Sequence, residues 1–156
     1  MHVSQFLTPD SVAVGLKAGS KAELIDAMIA LLEGRSEVVD LAAVRTAVLR
    51  RENSMSTGVG KGLALPHAKT NAVSRTVAAM AVTADPVPFE AIDDLPIRLV
   101  FLLVGEPDAK SQHVKVLSRI SRLMNREAVR KKLSAASTPQ ELLDALQEAE
   151  NNLLDE

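Results

Sequence analysis

Ile97-Arg98-Leu99-Val100-Phe101-Leu102-Leu103-Val104 carries one charge among seven apolar side chains. A strand wet on one side would alternate polar and apolar residues. This one does not, so it reads as a central strand covered on both faces. Gly105-Glu106-Pro107-Asp108 ends it, and helical spacing takes over, with Val116, Leu117, Ile120, Leu123 and Met124 forming an apolar stripe. Ser111 or Asp108 is the candidate cap of that helix. A short helix is expected over residues 127–133. A last one opens at Thr138-Pro139-Gln140-Glu141, a capping box with proline at the first helical position, and buries Leu142, Leu143 and Leu146.

Working back from the central strand, residues 77–83 form a second strand, and Pro86 and Pro88 mark a turn or an edge. Leu63-Ala64-Leu65 is a short strand ending in the restricted geometry before Pro66. A helix over residues 40–51 turns Leu41, Val44, Val48 and Leu49 inward. An earlier one is announced by Ser20-Lys21-Ala22-Glu23, a capping box, and buries Leu24, Ile25, Met28, Leu31 and Leu32. Residues 11–16 alternate like a strand. The sum is a single α/β domain over residues 1–156, a mixed central sheet flanked by helices on both faces. Its core is expected over about residues 8–148, with residues 151–156 as a polar, disordered tail.

Composition narrows the function. The chain has 156 residues, 47% hydrophobic and 24% charged, the balance of a globular protein. A net charge of −2 without a long Lys/Arg run argues against nucleic-acid binding, and three Phe with no Tyr or Trp leave few stacking platforms. No apolar run reaches the roughly 18–20 residues of a membrane span, and the first residues lack the pattern of a signal peptide. A cytoplasmic location is the expectation, and the absence of cysteine agrees with a reducing compartment. That absence also excludes a thiol nucleophile and a thiolate metal site.

Chemistry concentrates in Arg51-Glu52-Asn53-Ser54-Met55-Ser56-Thr57-Gly58-Val59-Gly60-Lys61-Gly62-Leu63-Ala64-Leu65-Pro66-His67-Ala68. Gly58, Gly60 and Gly62 could present amide groups to an anion. The spacing is not that of a nucleotide-binding P-loop, because Met55 stands where the first glycine is required. A tight hairpin without ligand fits the same glycines. His67, at the end of a short strand, is a nucleophile at neutral pH, where imidazole is largely uncharged. Phosphoryl transfer asks for such an in-line nucleophile with donors around the equatorial oxygens. The glycine-loop amides, the Ser56 and Thr57 hydroxyls and a guanidinium meet that specification. A core histidine with satisfied hydrogen bonds is the alternative. His113 shares a helix face with Leu117, Ile120 and Met124 and should point at the sheet, near a helix N-terminus that favours anions. Simple packing is its alternative. His2 reads as a frayed terminal residue.

The segment from Arg51 to Ala68 resembles the active-site signature of the enzyme IIA domains of the fructose/mannitol family, part of the bacterial phosphoenolpyruvate-dependent phosphotransferase system. The matching residues are Arg51-Glu52, Ser56-Thr57-Gly58, Gly60, Gly62 and Pro66-His67, with His113 opening a helix after a central strand. The resemblance extends over roughly residues 8–148 and includes the nitrogen-regulatory IIA branch. It implies that His67 is phosphorylated by the phosphohistidine of HPr or its nitrogen-branch relative. It further implies that Arg51 neutralises phosphoryl oxygens and that His113 orients His67 or binds the phosphoryl group. The acceptor would be a separate IIB protein, or phosphorylation would act as a regulatory signal. A chain without IIB, IIC or HPr modules suits the regulatory branch slightly better. No cofactor or metal is implied.

Two rivals stand beside this reading. One is a regulatory binding module with the same fold and no phosphoryl traffic. The other is a metal-dependent hydrolase using the two histidines with Asp85, Asp93, Asp94 or Asp108, which lacks any HExxH-like spacing.

Overall fold

In the computed structural model, which describes residues 2–154, β6 (Ile97–Gly105) is the central strand its composition demanded. Leu99, Phe101 and Leu103 join one hydrophobic cluster, and Val100, Leu102 and Val104 join another on the opposite face. Burying each of these side chains contributes about 1.5–3 kcal/mol, so the strand anchors both layers.

Six strands make one mixed sheet. β1 (Val12–Leu16) is an edge, parallel to β5 (Val77–Val87), which runs antiparallel to β6. On the other side of β6 lie β3 (Leu63–Ala64) and β4 (His67–Lys69), both parallel to it, and β2 (Gly58–Gly60) closes the sheet beyond β3. Pro86 belongs to β5 but lies past the last residue paired with β1, which stops at Thr83. The proline therefore sits at an edge, where its missing N–H breaks no ladder.

One layer holds α1 (Lys21–Ala30) and α2 (Leu41–Ser54) over the second cluster. The other holds α3 (Lys110–Met124), α4 (Glu127–Ser134) and α5 (Pro139–Leu154) over the first. The caps of α1 and α5 form as the sequence suggests on one side only. Ser20 Oγ and Thr138 Oγ1 accept from the Glu23 and Glu141 N–H groups. The glutamates reach one residue further back than a capping box requires, to the N–H groups of Gly19 and Ser137.

Three expectations are corrected here. Neither Ser111 nor Asp108 caps α3, whose N-cap is Ala109, without a side-chain bond. The polar tail is not loose up to Leu154: α5 continues through Asn151 and Asn152, because Leu153 is buried against the core. Residues 155 and 156 lie outside the described residues. His2 is not frayed. Its N–H donates to Gln5, and its ring lies 3.9 Å from Glu150 on α5. Glu150, fully buried, accepts from the N–H groups of Val3 and Ser4 and pairs with Arg119, tying the amino-terminal turn to α3 and α5.

Candidate functional site

Proline determines where His67 stands. Leu63 pairs with Leu99, Ala64 with Val100 and His67 with Leu103, a constant offset along β6. β3 and β4 are thus one track interrupted at Leu65-Pro66, since Pro66 has no N–H to donate. His67 opens the second half of the track and does not end the first. Its ring is half-buried, and Nδ1 lies 2.7 Å from the Leu65 carbonyl. A carbonyl only accepts, so Nδ1 carries the proton and Nε2 keeps its lone pair.

His113 enters from the first turn of α3, 4% exposed, and its ring centroid lies 5.4 Å from that of His67, tilted by 55°. Gly105 at the end of β6 leaves room for this approach. A Cβ there would stand 3.3 Å from both His113 Nδ1 and Thr76 Oγ1. Neither ring nitrogen of His113 has a hydrogen-bond partner among the described residues.

Electrostatics keep both rings neutral. Burial pushes His67 below its ordinary value, Arg51 and Lys69 press the same way, and the Leu65 carbonyl and Glu52 oppose them. Burial first, then the neighbouring ring of His67 and Lys69, push His113 down to about 4. Arg51, in the last turn of α2, is held by a bond from Nη1 to the Met55 carbonyl. His67 and His113 thus stand side by side, and the charge of Arg51 is felt at His67.

The glycine loop does not join it as expected. Gly60 and Gly62 form, with Lys61, the turn of the β2–β3 hairpin, all three at positive φ. That turn precedes Leu63, four residues before His67 along the ladder, or about 13 Å at strand rise. Its outer side packs on residues 91–98: Lys61 N–H donates to Asp93, and the Gly62 carbonyl accepts from the Arg98 and Leu99 N–H groups. Gly58 is glycine because a Cβ would come within 2.8 Å of Ala91. The hydroxyls are also committed. Ser56 Oγ donates to the Phe89 carbonyl, and Thr57 Oγ1 donates to Glu52 at 2.6 Å. These glycines thus build the tight turn of a hairpin.

Glu52 has no role legible in the sequence, and Lys69, Thr76 and Gly105 join the site through the fold. Lys69 was findable: residues i and i+2 of a strand share a face, which places its ammonium on the side of His67. Among the described residues, no three His, Asp or Glu side chains are grouped to hold a metal ion. No helix among them is long and apolar enough to cross a membrane.

The family model described as phosphoenolpyruvate-dependent sugar phosphotransferase system, EIIA 2, matches residues 5–149. The chain belongs to this family. It thereby has a phosphotransferase role within that system. Among the EIIA relatives, it is 37% identical over 129 residues to a fructose-specific EIIA component of Haloferax volcanii, covering 83% of this chain and 84% of the relative. It is 33% identical over 149 residues to a nitrogen regulatory protein of Bradyrhizobium diazoefficiens, covering 94% and 95%. Against a fructose-specific EIIABC component of Bacillus subtilis it is 34% identical over 146 residues, yet spans only 23% of that protein's length. The crystal structure of the nitrogen regulatory protein IIA-Ntr from Neisseria meningitidis superposes with a TM-score of 0.86 at 30% identity, covering 92% of this chain and 98% of that one.

Proposed function

We propose that this EIIA chain accepts a phosphoryl group on Nε2 of His67 from the phosphohistidine of an HPr-like carrier protein. It then passes the group to a IIB protein or carries it as a regulatory signal. The observation that supports this most is the 2.7 Å bond from His67 Nδ1 to the Leu65 carbonyl, which leaves Nε2 as the one nucleophilic nitrogen of the ring.

The Nε2 lone pair attacks phosphorus, the donor's phosphorus–nitrogen bond breaks, and the donor imidazole leaves with the electron pair. The His67 ring gains positive character as the bond forms, and the Leu65 carbonyl stabilises its Nδ1–H. Arg51 balances the phosphoryl oxygens, and His113, with two unengaged ring nitrogens, is placed to hydrogen-bond them. Transfer onward reverses these steps, so neither ATP nor a metal ion is needed for the exchange between proteins. A cytoplasmic location follows from such partners.

Both branches of relatives support a carrier: fructose-specific EIIA on one side and nitrogen regulatory proteins on the other. A solved complex of enzyme IIA-mannitol with phosphorylated enzyme IIB-mannitol from Escherichia coli is the precedent for a IIB acceptor. At 23% identity, it bears on this chain by fold alone. The test is incubation with phosphoenolpyruvate, enzyme I and HPr or the nitrogen-branch carrier. Acid-labile, base-stable label should appear, vanish in His67→Ala and form more slowly in His113→Ala. Label persisting in His67→Ala would refute the assignment, and no label with either carrier would favour a binding module without phosphoryl traffic.

A further inference from the structure

Glu52 is a carboxylate at 5% exposure in the last turns of α2, and nothing in the transfer chemistry above uses it directly. Its surroundings are nonetheless specific. Oε1 accepts from the Thr57 N–H at 2.9 Å and pairs with Lys21 Nζ at 2.8 Å, while Oε2 accepts from Thr57 Oγ1 at 2.6 Å. The Lys21 ammonium also sits 4.8 Å from the centre of the Phe89 ring. One carboxylate thus binds α1, α2 and the segment leading into β2.

The line of bonds continues to the nucleophile. The Thr57 carbonyl accepts from the Leu65 N–H at 2.9 Å, and the Leu65 carbonyl accepts from His67 Nδ1. Leu65 lies in the gap between β3 and β4, where Pro66 keeps only its carbonyl bond to the Leu103 N–H of β6, and the Leu65 N–H turns the other way, to Thr57. The carbonyl that selects the His67 tautomer is therefore aimed by Thr57, and Thr57 is held at both its N–H and its hydroxyl by Glu52.

We propose that Glu52 is a positioning residue for phosphoryl transfer: by fixing Thr57 it aims the Leu65 carbonyl at His67 Nδ1 and so keeps Nε2 free to attack. This rests on the reading of His67 as phosphoryl acceptor. The role is carried by hydrogen bonds, so glutamine, which can still accept from the Thr57 N–H and meet its hydroxyl, retains most of it. Alanine does not. Nitrogen-15 NMR of the imidazole rings in the full chain reads the tautomer without any phosphoryl donor, and a merely stabilising role would not move it.

The parent protein is expected to hold His67 as the Nδ1–H form, and Glu52→Gln to keep it, with a transfer rate within about threefold. Glu52→Ala, folded by circular dichroism, should show a mixture of tautomers and a turnover loss of about 10- to 100-fold, at little change in KM for the donor. A folded Glu52→Ala with an unchanged tautomer and a rate within threefold overturns the proposal. If Glu52→Ala does not fold, Thr57→Val removes the 2.6 Å bond alone, and an unshifted tautomer there overturns it equally. Absence of label in the parent protein would overturn the role in phosphoryl transfer together with the phosphocarrier reading, whereas the NMR result separately decides whether Glu52 sets the His67 tautomer.

Discussion

Replacing His113 with leucine separates what the ring costs from what it does. The imidazole is 4% exposed, its nitrogens have no hydrogen-bond partners among the described residues, and its folded value is pushed down to about 4. In the unfolded chain a histidine titrates near its ordinary value of about 6.5. Between those limits the unfolded state binds a proton that the native state refuses, so stability rises with pH across this window and is lost as pH falls from about 6.5 to 4. At about 1.4 kcal/mol per pH unit, this histidine withdraws at most about 3 kcal/mol at pH 4. That equals roughly 6–12 °C in Tm for a chain of this size. His113→Leu should be as stable as the parent or more stable at pH 7, because an unpartnered buried polar group has been replaced by an apolar one. Urea unfolding of both proteins at pH 7.0 and 4.0 gives the comparison, in which the carboxylate contributions cancel. The parent should lose about 3 kcal/mol more than the variant over that interval. Parallel losses would refute the picture of a neutral ring held in an apolar wall.

Other outcomes follow from the same geometry. Because His67 must be neutral to attack and its value is depressed, the rate of phosphoryl acceptance should be flat at neutral pH and fall only below about 6.5. In Arg51→Ala the loss of a nearby cation should move that acid limb upward, measured as initial label incorporation against pH. Gly58→Ala should cost about 1–3 kcal/mol in urea unfolding, since the new methyl group meets Ala91 backbone and side chain at 2.8 Å. Glu150→Ala should release the amino-terminal turn and cost about 3 kcal/mol or more, because Arg119 is left without its partner and two N–H groups without an acceptor. Amide exchange at Val3 and Ser4 would report that release.

Legibility in the sequence followed the range of the physical signal. β6 was readable because six apolar residues in a row, Leu99 to Val104, need cover on both faces, and α3 because its stripe has one clear period. The pairing of His67 with His113 was anticipated through the family resemblance and not from local features, since His67 opens β4 where the sequence suggested a strand end. What failed was long-range. The run of glycines does not reveal that its turn packs against residues 91–98, because that contact with Ala91 and Asp93 is made only by the tertiary fold. Residues 151–156 read as tail because Asn151, Asn152, Asp155 and Glu156 are polar, whereas Leu153 finds a place in the core supplied by elements far away in the chain. The part of Glu52 was hidden for the same reason: Lys21 reaches it from a helix 31 positions earlier.

The central claim concerns a single nitrogen atom. Phosphorylated protein, labelled with nitrogen-15 in histidine, should show phosphorus–nitrogen coupling at Nε2 of His67 while Nδ1 keeps its proton toward the Leu65 carbonyl. Coupling at Nδ1, or at either nitrogen of His113, would contradict the account.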